Sequence, residues 1–305
     1  ILQEDGSRIT EFTFEDYVIL KGKRKLEGLP AVYTESDEEA ETLEIYLRDR
    51  VMNTKIILSY TIFENLPVII RNTRFVHEGE SSIVLERAMS LNLDLPDDRY
   101  EMVELTGAWA RERYVKTAPL HEGIQAIYSM RGHSSHQFNP FFALKRPETT
   151  EDAGEAIGIS LVYSGNFLGQ TAVDTFGVAR AMIGIHPEGF SWTLKKDETF
   201  QTPEAVLVYS GEGLGKMSRT FHRLYRKRLA RGYWRDRVRP VVINNWEATF
   251  MDFTEDKILK FAETARKLGV EMMVLDDGWF GHRDDDTSSL GDWYPDPKKL
   301  PQGIR

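Results

Sequence analysis

Short runs of β-branched and aromatic residues, separated by turn residues, make up the chain from Ile1 to about Tyr209. Apolar and polar residues alternate within these runs, most regularly from Met89 onward, and no convincing helical spacing lies among them. This pattern is typical of antiparallel strands that bury one face. We expect strands over residues 42–48, 54–63, 68–76, 83–95, 157–163, 178–184 and 205–209. The first two thirds of the sequence therefore predict an antiparallel β-sandwich.

The pattern changes at Gly211, after which apolar residues recur at helical spacing. These residues are Met217, Phe221, Leu224 and Tyr225. Residues 216–239 hold ten lysines and arginines and a single acid, Asp236. A helix this basic would suit nucleic acid or a membrane surface, but a connecting helix with a solvated basic face fits an acidic chain better. We expect a helix or linker over residues 211–239, between two domains.

A β/α pattern follows Pro240. Residues 241–243 form a short apolar strand, residues 254–268 have helical spacing with Gly269 as the stop, and residues 271–275 form a second strand. Strand, helix and strand in this order are a parallel crossover unit. The sequence therefore predicts a β domain over 1–210, the connecting helix over 211–239 and the start of a β/α domain over 240–305.

The β/α part is short for its class. Only 65 residues remain from Val241 onward, whereas a (β/α)₈ barrel takes about 250 residues. The sequence also opens on Ile1 rather than Met and stops at Arg305 in what looks like a loop. We therefore expect the front portion of a longer protein, with an incomplete barrel and a native N-terminus that is missing.

Composition excludes several classes of function. The chain has 41% hydrophobic and 29% charged residues, which is enough apolar material for a packed core. Its net charge of −9 does not favour a broad surface for nucleic acid. The absence of cysteine excludes disulfides, thiolate metal sites and a cysteine nucleophile. No apolar stretch approaches the roughly 18–20 residues of a membrane-spanning helix, so we expect neither nucleic acid nor a membrane as a partner.

Candidate chemistry lies where the two predicted parallel strands end. Asp276 and Asp277 follow the second strand beside Trp279, and Trp246 follows the first. The carboxyl ends of parallel strands form the ligand-binding face of β/α folds. Carboxylates that accept from hydroxyls, next to an aromatic plane, suit a sugar ring. The alternative is that Asp277 belongs to a simple turn and that the tryptophans are core residues.

The adjacent carboxylates are poorly placed to be the catalytic pair of a glycosidase. Retaining glycosidases hold their two carboxyl groups about 5–5.5 Å apart on either side of the scissile bond. Sequence neighbours on a strand point to opposite faces, so substrate binding fits Asp276 and Asp277 better. No metal site is expected, because the acidic run 284–286 lacks the alternate spacing of a calcium loop. His133 and His136 have no third ligand nearby and are typical of a hydrogen-bonding loop.

Trp109 lies in residues 106–113, an arginine-rich stretch that reads as a loop. An indole outside regular strands either closes a carbohydrate site or merely packs. The sequence physics leaves both alternatives open.

Three longer motifs contain or follow the candidate residues of the β/α part. They are residues 243–249 (Ile-Asn-Asn-Trp-Glu-Ala-Thr), 274–281 (Val-Leu-Asp-Asp-Gly-Trp-Phe-Gly) and 289–293 (Ser-Leu-Gly-Asp-Trp). These motifs resemble those at the start of the barrel of α-galactosidases of glycoside hydrolase family 36. Upstream, residues 107–113, 134–137 and 218–225 resemble its preceding β domain and connecting helix. The resemblance implies a β-supersandwich followed by a (β/α)₈ barrel, and retaining hydrolysis of terminal α-linked galactose from oligosaccharides such as melibiose and raffinose.

The resemblance also implies roles for the candidate residues. Asp276 and Asp277 would bind galactose hydroxyls, Trp246 would line the same pocket, and Trp109 would reach the active site of a neighbouring subunit, as in tetrameric members. No cofactor is expected, the expected partners are α-galactoside oligosaccharides, and a cytoplasmic location is expected.

One departure from the family pattern concerns catalysis. The nucleophile of such enzymes lies in a Lys-Trp-Asp motif, which does not occur in this sequence, and the acid/base Asp comes later still. We expect both to lie beyond Arg305 and the 305-residue chain alone to be inactive. The alternatives are a non-catalytic carbohydrate-binding sandwich module, or a related α-N-acetylgalactosaminidase or galactosyl transferase.

Overall fold

The computed structural model describes residues 1–304, which form two compact units that meet between Arg231 and Gly232. The first unit is built almost entirely of strands. They are β1 (Thr13–Lys21), β2 (Ala40–Asp49), β3 (Thr54–Phe63), β4 (Ile69–His77), β5 (Ile83–Leu85), β6 (Met89–Asp94), β7 (Glu101–Ala108), β8 (Arg111–Pro119), β9 (Gly123–Ser129), β10 (Phe138–Lys145), β11 (Ala156–Val162), β12 (Phe167–Val173), β13 (Ala179–Ile185), β14 (Trp192–Leu194), β15 (Thr199–Gln201) and β16 (Glu204–Ser210).

Two antiparallel sheets face each other in this unit. Nine strands of the larger sheet follow the order β1-β2-β3-β4-β16-β11-β10-β7-β8, and β15 adds to β4; the smaller sheet has the order β6-β13-β12-β9. Side chains from both sheets interdigitate in one buried core, among them Ile127, Phe142, Ile159, Phe167 and Ile183. Sheet-on-sheet packing of this kind defines a β-sandwich. The prediction of a mainly β, antiparallel fold is confirmed.

The predicted single strand over 83–95 is wrong. The chain breaks it into β5, which pairs with β14, and β6, which pairs with β13 in the smaller sheet. Ala88, between the two, is buried. The charged residues Glu86 and Arg87 interrupt the apolar pattern at the break, but that two strands form here is decided by pairing partners about one hundred residues away.

The stretch 106–113 is a hairpin rather than the predicted loop. Strands β7 and β8 pair up to Ala108 and Arg111, so Trp109 and Ala110 are the two turn residues. Ala110 takes a left-handed φ of 61°. Every residue of β8 is exposed. Because neither face of the strand is buried, its sequence does not need the alternation of apolar and polar residues from which strands are predicted.

Helix α1 (Gly213–Leu224) follows the last strand and continues as a π-helical turn over Tyr225–Leu229. Its predicted apolar stripe, with Met217, Phe221 and Leu224, packs on residues of the larger sheet. The helix comes very close to Gly158 of β11, where a Cβ atom would lie 2.5 Å from the Phe221 ring. The helix is therefore an integral part of the first unit.

The second unit contains one parallel crossover. Its elements are β17 (Val242–Asn244), α2 (Trp246–Thr249), α3 (Glu255–Lys267) and β18 (Met272–Val274), and β17 pairs with β18 in parallel. The predicted strand–helix–strand order is thus confirmed.

The ends of α3 follow the sequence signals. Thr254 accepts a hydrogen bond from the Lys257 amide as the N-cap. At the other end Gly269 has a φ of 86°, and the amides of Gly269 and Val270 donate to Arg266 and Ala265 in the pattern of a Schellman motif. Leu268, the last residue of the predicted helix, is the C-cap and is 79% exposed.

Within residues 1–304, no helix combines the length and apolar character needed to cross a membrane.

Candidate functional site: the carboxyl ends of two parallel strands

Asp276 is held in place from the neighbouring strand. The Asn244 amide nitrogen, at the end of β17, donates to Asp276 Oδ2 at 2.5 Å. The next residue, Asn245, accepts a hydrogen bond from the Asp276 backbone amide at 2.8 Å. Asn245 is completely buried and its amide nitrogen donates to Thr249 Oγ1. Both strand ends therefore fix one carboxylate at the same edge of the sheet.

Asp277 is held by a different partner. Its Oδ1 accepts hydrogen bonds from the Gly278 amide at 2.7 Å and from Arg283 Nε at 2.5 Å. The guanidinium of Arg283 lowers the pKa of the Asp277 carboxyl below its ordinary value. No residue within 1–304 donates a hydrogen bond to Asp277 Oδ2. Asp277 is thus an ionised carboxylate with one oxygen available to a ligand.

Arg283 is itself fixed among polar and aromatic neighbours. Only 5% of its side chain is exposed, its Nη1 donates to the Ser288 carbonyl at 2.5 Å, and its guanidinium lies 5.7 Å from the Phe280 ring centroid. Lys299 Nζ donates to the carbonyls of Gly278 and Arg283, both at 2.9 Å. Hydrogen bonds from Arg283 and Lys299 therefore hold the loop that follows Asp277 in place.

The acidic run 284–286 belongs to the outer side of this loop. Asp284 lies 2.9 Å from Lys299 Nζ and its side chain is 80% exposed. Asp285 accepts hydrogen bonds from the Thr287 amide and hydroxyl. Among the described residues no group of three or more histidines and acids is arranged to hold a metal ion. The run therefore lies in a loop whose side chains at Asp284 and Asp285 have protein partners.

Trp246 begins α2 immediately after the first strand end. Its backbone amide donates to Asn244 Oδ1 at 2.8 Å, so Asn244 holds both the tryptophan and Asp276. The half-buried indole meets the Phe250 ring edge-on, with centroids 5.3 Å apart. Trp279 packs in the same manner on Phe280, at 5.1 Å. Two fixed carboxylates and half-buried indoles in one unit can hold a ring that has hydroxyls on its rim and an apolar face.

Trp109 belongs to the first unit, whereas the other three candidate residues belong to the second. It occupies the tip of the β7–β8 hairpin and is 86% exposed. Near the tip of this hairpin is a cleft of about 590 Å³ lined by Glu112, Arg113, Asn139 and residues 134–136. The predicted histidine loop is hydrogen-bonded here: the His133 ring nitrogen Nδ1 lies 2.6 Å from the Ser134 carbonyl, and Ser129 Oγ donates to the His133 carbonyl.

Sequence reasoning missed Asn244, Arg283 and Lys299. The paired asparagines after the first strand were a usable signal, because side chains at parallel strand ends meet at one edge. No sequence pattern predicted Arg283 or Lys299, because both lie in the irregular segment after β18 and contact the site only through the fold of that segment.

Comparison with known proteins places these features in a family. Residues 1–195 match the glycosyl hydrolase family 36 N-terminal domain, and residues 199–305 match the melibiase domain. The chain is 52% identical over 301 residues to the α-galactosidase AgaA of Geobacillus stearothermophilus, covering 99% of this chain and 41% of AgaA. It is 46% identical over 300 residues to the α-galactosidase Mel36A of Lactobacillus acidophilus, covering 98% of this chain and 41% of Mel36A.

Solved structures agree with the sequence relatives. The crystal structure of AgaA matches with a TM-score of 0.96 at 52% identity, covering 99% of this chain and 42% of that one. The α-galactosidase from Lactobacillus brevis matches with a TM-score of 0.95 at 46% identity, covering 99% and 40%. The chain thus spans about two fifths of the length of these relatives. The family resemblance predicted from the motifs is confirmed, and the chain belongs to glycosyl hydrolase family 36.

Proposed function

We propose that this chain supplies the galactose-binding part of an α-galactosidase. The observation that carries the proposal is the hydrogen bond between Asn244 and Asp276, which fixes a carboxylate at the carboxyl ends of two adjacent parallel strands. In this position Asp276 and Asp277 accept hydrogen bonds from sugar hydroxyls, and the indole of Trp246 lies along the apolar face of the ring. The Arg283 guanidinium keeps Asp277 ionised, and charged acceptors bind hydroxyls more strongly than neutral ones do.

Asp276 and Asp277 bind the sugar and do not carry out its hydrolysis. A retaining glycosidase needs one carboxylate that attacks the anomeric carbon and another that protonates the leaving oxygen and then activates water. This sequence contains no Lys-Trp-Asp motif. We propose that both catalytic carboxylates come from residues beyond Arg305 in the whole protein, and that the 305-residue chain binds sugar but does not cleave it.

The proposed substrates are α-galactoside oligosaccharides. Crystal structures of AgaA variants contain raffinose and stachyose, and the melibiase match covers the strand ends described above. In the whole protein Trp109 would contact the sugar bound to a neighbouring subunit of a tetramer. Its exposure at the tip of a hairpin is compatible with that role. Tetramer formation and a cytoplasmic location stay predictions.

A hybrid enzyme tests the proposal directly. In the hybrid, this chain replaces the matching two fifths of AgaA, and release of galactose from raffinose is measured. We expect an active hybrid, a large loss of activity in its Asp276→Asn variant, and no activity from the 305-residue chain alone. A hybrid that unfolds cooperatively yet cleaves no α-galactoside, while the chain alone still binds raffinose, would instead favour a non-catalytic carbohydrate-binding module.

A further inference from the structure

The first unit contains a cleft that the proposed function does not use. It has a volume of about 1020 Å³ and lies between the irregular segment 24–29 and strands β14 and β15. We call it the aromatic cleft, after the three rings Phe190, Trp192 and Phe200 along one side. Its volume is close to the upper end of the range of small-molecule sites, about 300–1,000 Å³.

The aromatic side is rigid and has one open ring. Trp192 is 49% exposed and packs against buried Phe200 with ring centroids 5.3 Å apart. Phe200 is braced in turn by Phe190 at 5.6 Å and Phe75 at 6.4 Å. An indole supported from behind and open to solvent offers a flat apolar surface at little entropic cost.

The lining of the cleft also contains a hydrogen-bond donor. Arg74 lies on β4, is half-buried and lines the cleft. Its guanidinium makes no hydrogen bond or ion pair with any residue within 1–304, although it has five N–H donors. A half-buried guanidinium that has no acceptor among the described residues is available to a ligand.

A fixed acceptor stands beside this donor. Gln201 pairs with Arg74 across β15 and β4. Its amide nitrogen donates to Asn72 Oδ1, the Thr73 carbonyl and the Thr202 carbonyl at 3.0–3.1 Å. These bonds lock the amide, so Oε1 is left as an acceptor that no residue in the described part of the chain uses. Donor and acceptor are therefore held on a rigid sheet.

Charge argues for a neutral ligand. Arg24, at the rim, is paired with Glu44 at 2.8 Å. The remaining charged residues of the lining are Lys25, Glu27 and Arg74, with a net charge of +1. Among these described residues, a strongly acidic ligand would find one half-buried cation, Arg74, and one exposed cation, Lys25. A purely apolar ligand would leave the buried polar groups without partners, which is costly.

From this arrangement we propose that the aromatic cleft binds a neutral oligosaccharide of two or three pyranose rings, separately from the strand-end site of the second unit. The indole of Trp192 stacks on the apolar face of one ring. Arg74 donates to a hydroxyl or ring oxygen, and Gln201 Oε1 accepts from a hydroxyl. The proposal does not depend on the strand-end site binding sugar.

Fluorine NMR of the 305-residue chain tests this, because the sequence has six tryptophans and only Trp192 lies in the cleft. The chain is labelled with 5-fluorotryptophan, the resonances are assigned by Trp→Phe variants, and stachyose and raffinose are titrated. We expect a saturable shift of the Trp192 resonance. Arg74→Met should weaken the affinity about tenfold or more, as expected for a lost hydrogen bond from a charged group.

Matched controls separate the outcomes. Arg50→Met and Phe176→Ala change an exposed arginine and an exposed aromatic outside the cleft, and neither should alter the titration. Movement of the Trp246 resonance alone would overturn the cleft proposal while supporting the proposed function. A Trp192 shift that persists in Asp276→Asn supports the cleft. A Trp192 resonance that responds to inorganic phosphate and not to either saccharide would refute it.

Discussion

Exchanging Asn244 and Asp276 separates the binding role of the carboxylate from its structural role. The two side chains share a 2.5 Å hydrogen bond across the strand ends. In the variant Asn244→Asp/Asp276→Asn an amide and a carboxylate still face each other, and residue 244 still has an acceptor for the Trp246 amide. The negative charge, however, moves from the end of β18 to the end of β17.

The magnitudes follow from the contacts. Both oxygens of Asp276 accept hydrogen bonds, from Asn244 and from the Asp277 amide at 2.7 Å. In Asp276→Asn alone the new amide must turn its nitrogen toward one of these donors. One donor then loses its acceptor, and because the site is only half-buried we expect a loss of about 1 kcal/mol in unfolding free energy. The lost charged hydrogen bond to the sugar costs about 1.5–3 kcal/mol, or roughly ten- to a hundredfold in affinity.

The assay uses the hybrid with AgaA. Thermal unfolding, the Kd for galactose and the kcat and KM for raffinose are measured for the parent, both single variants and the exchanged variant, as a double-mutant cycle. We expect the exchanged variant to regain the stability lost in Asp276→Asn but not the affinity. Our reasoning is wrong if the exchange restores the affinity to within twofold of the parent, or if Asp276→Asn leaves both Kd and kcat/KM near normal.

Three further variants probe the surroundings. Arg283→Met should raise the lowered pKa of Asp277 toward its ordinary value of 3.8, so the acid limb of the kcat/KM profile of the hybrid should move to higher pH. Arg283→Lys keeps a positive charge and should partly reverse this shift. A pH profile that is unchanged in Arg283→Met would contradict the role of Arg283. Lys23→Met should destabilise the first unit by about 3–5 kcal/mol, because it leaves the fully buried Glu204 carboxylate without its cation. Burial raises the pKa of Glu204 above its ordinary value of 4.5, so the unfolding free energy should fall as the pH rises above 4.5, and it should fall more steeply in Lys23→Met. Adding Glu204→Gln to this variant should flatten the pH dependence. Denaturant unfolding at several pH values measures both effects. Gly158→Ala should lower the unfolding free energy by about 1–3 kcal/mol, because the added methyl group pushes α1 away from the larger sheet. An unchanged midpoint of urea unfolding would mean that α1 moves aside without loss of stability.

The strand-end site was largely predictable from sequence, because its main parts are local. A short apolar strand, a helix with Thr254 and Gly269 at its ends, and a second strand define where Asp276 must lie. Each of these signals acts over a few residues through capping, glycine conformation and apolar spacing. The family motifs around Asp276 and Trp246 added the sugar-binding hypothesis.

Partners distant in sequence were not predictable. The pairing of β5 with β14 splits an apparently continuous strand, and the exposed strand β8 carries no apolar signal. The aromatic cleft joins Arg74 to Trp192 and Gln201, more than one hundred residues away. These features depend on the register between strands, which neighbours along the chain do not encode.

By itself, the sequence determined the antiparallel β character of the first unit, the crossover of the second and the family, because periodicity, caps and motifs are local properties. Only the tertiary structure decided which cation holds Asp277 and which side chains share a cleft. Those contacts close long loops of chain, and their geometry is set by how the sheets pair and pack rather than by any short stretch of residues.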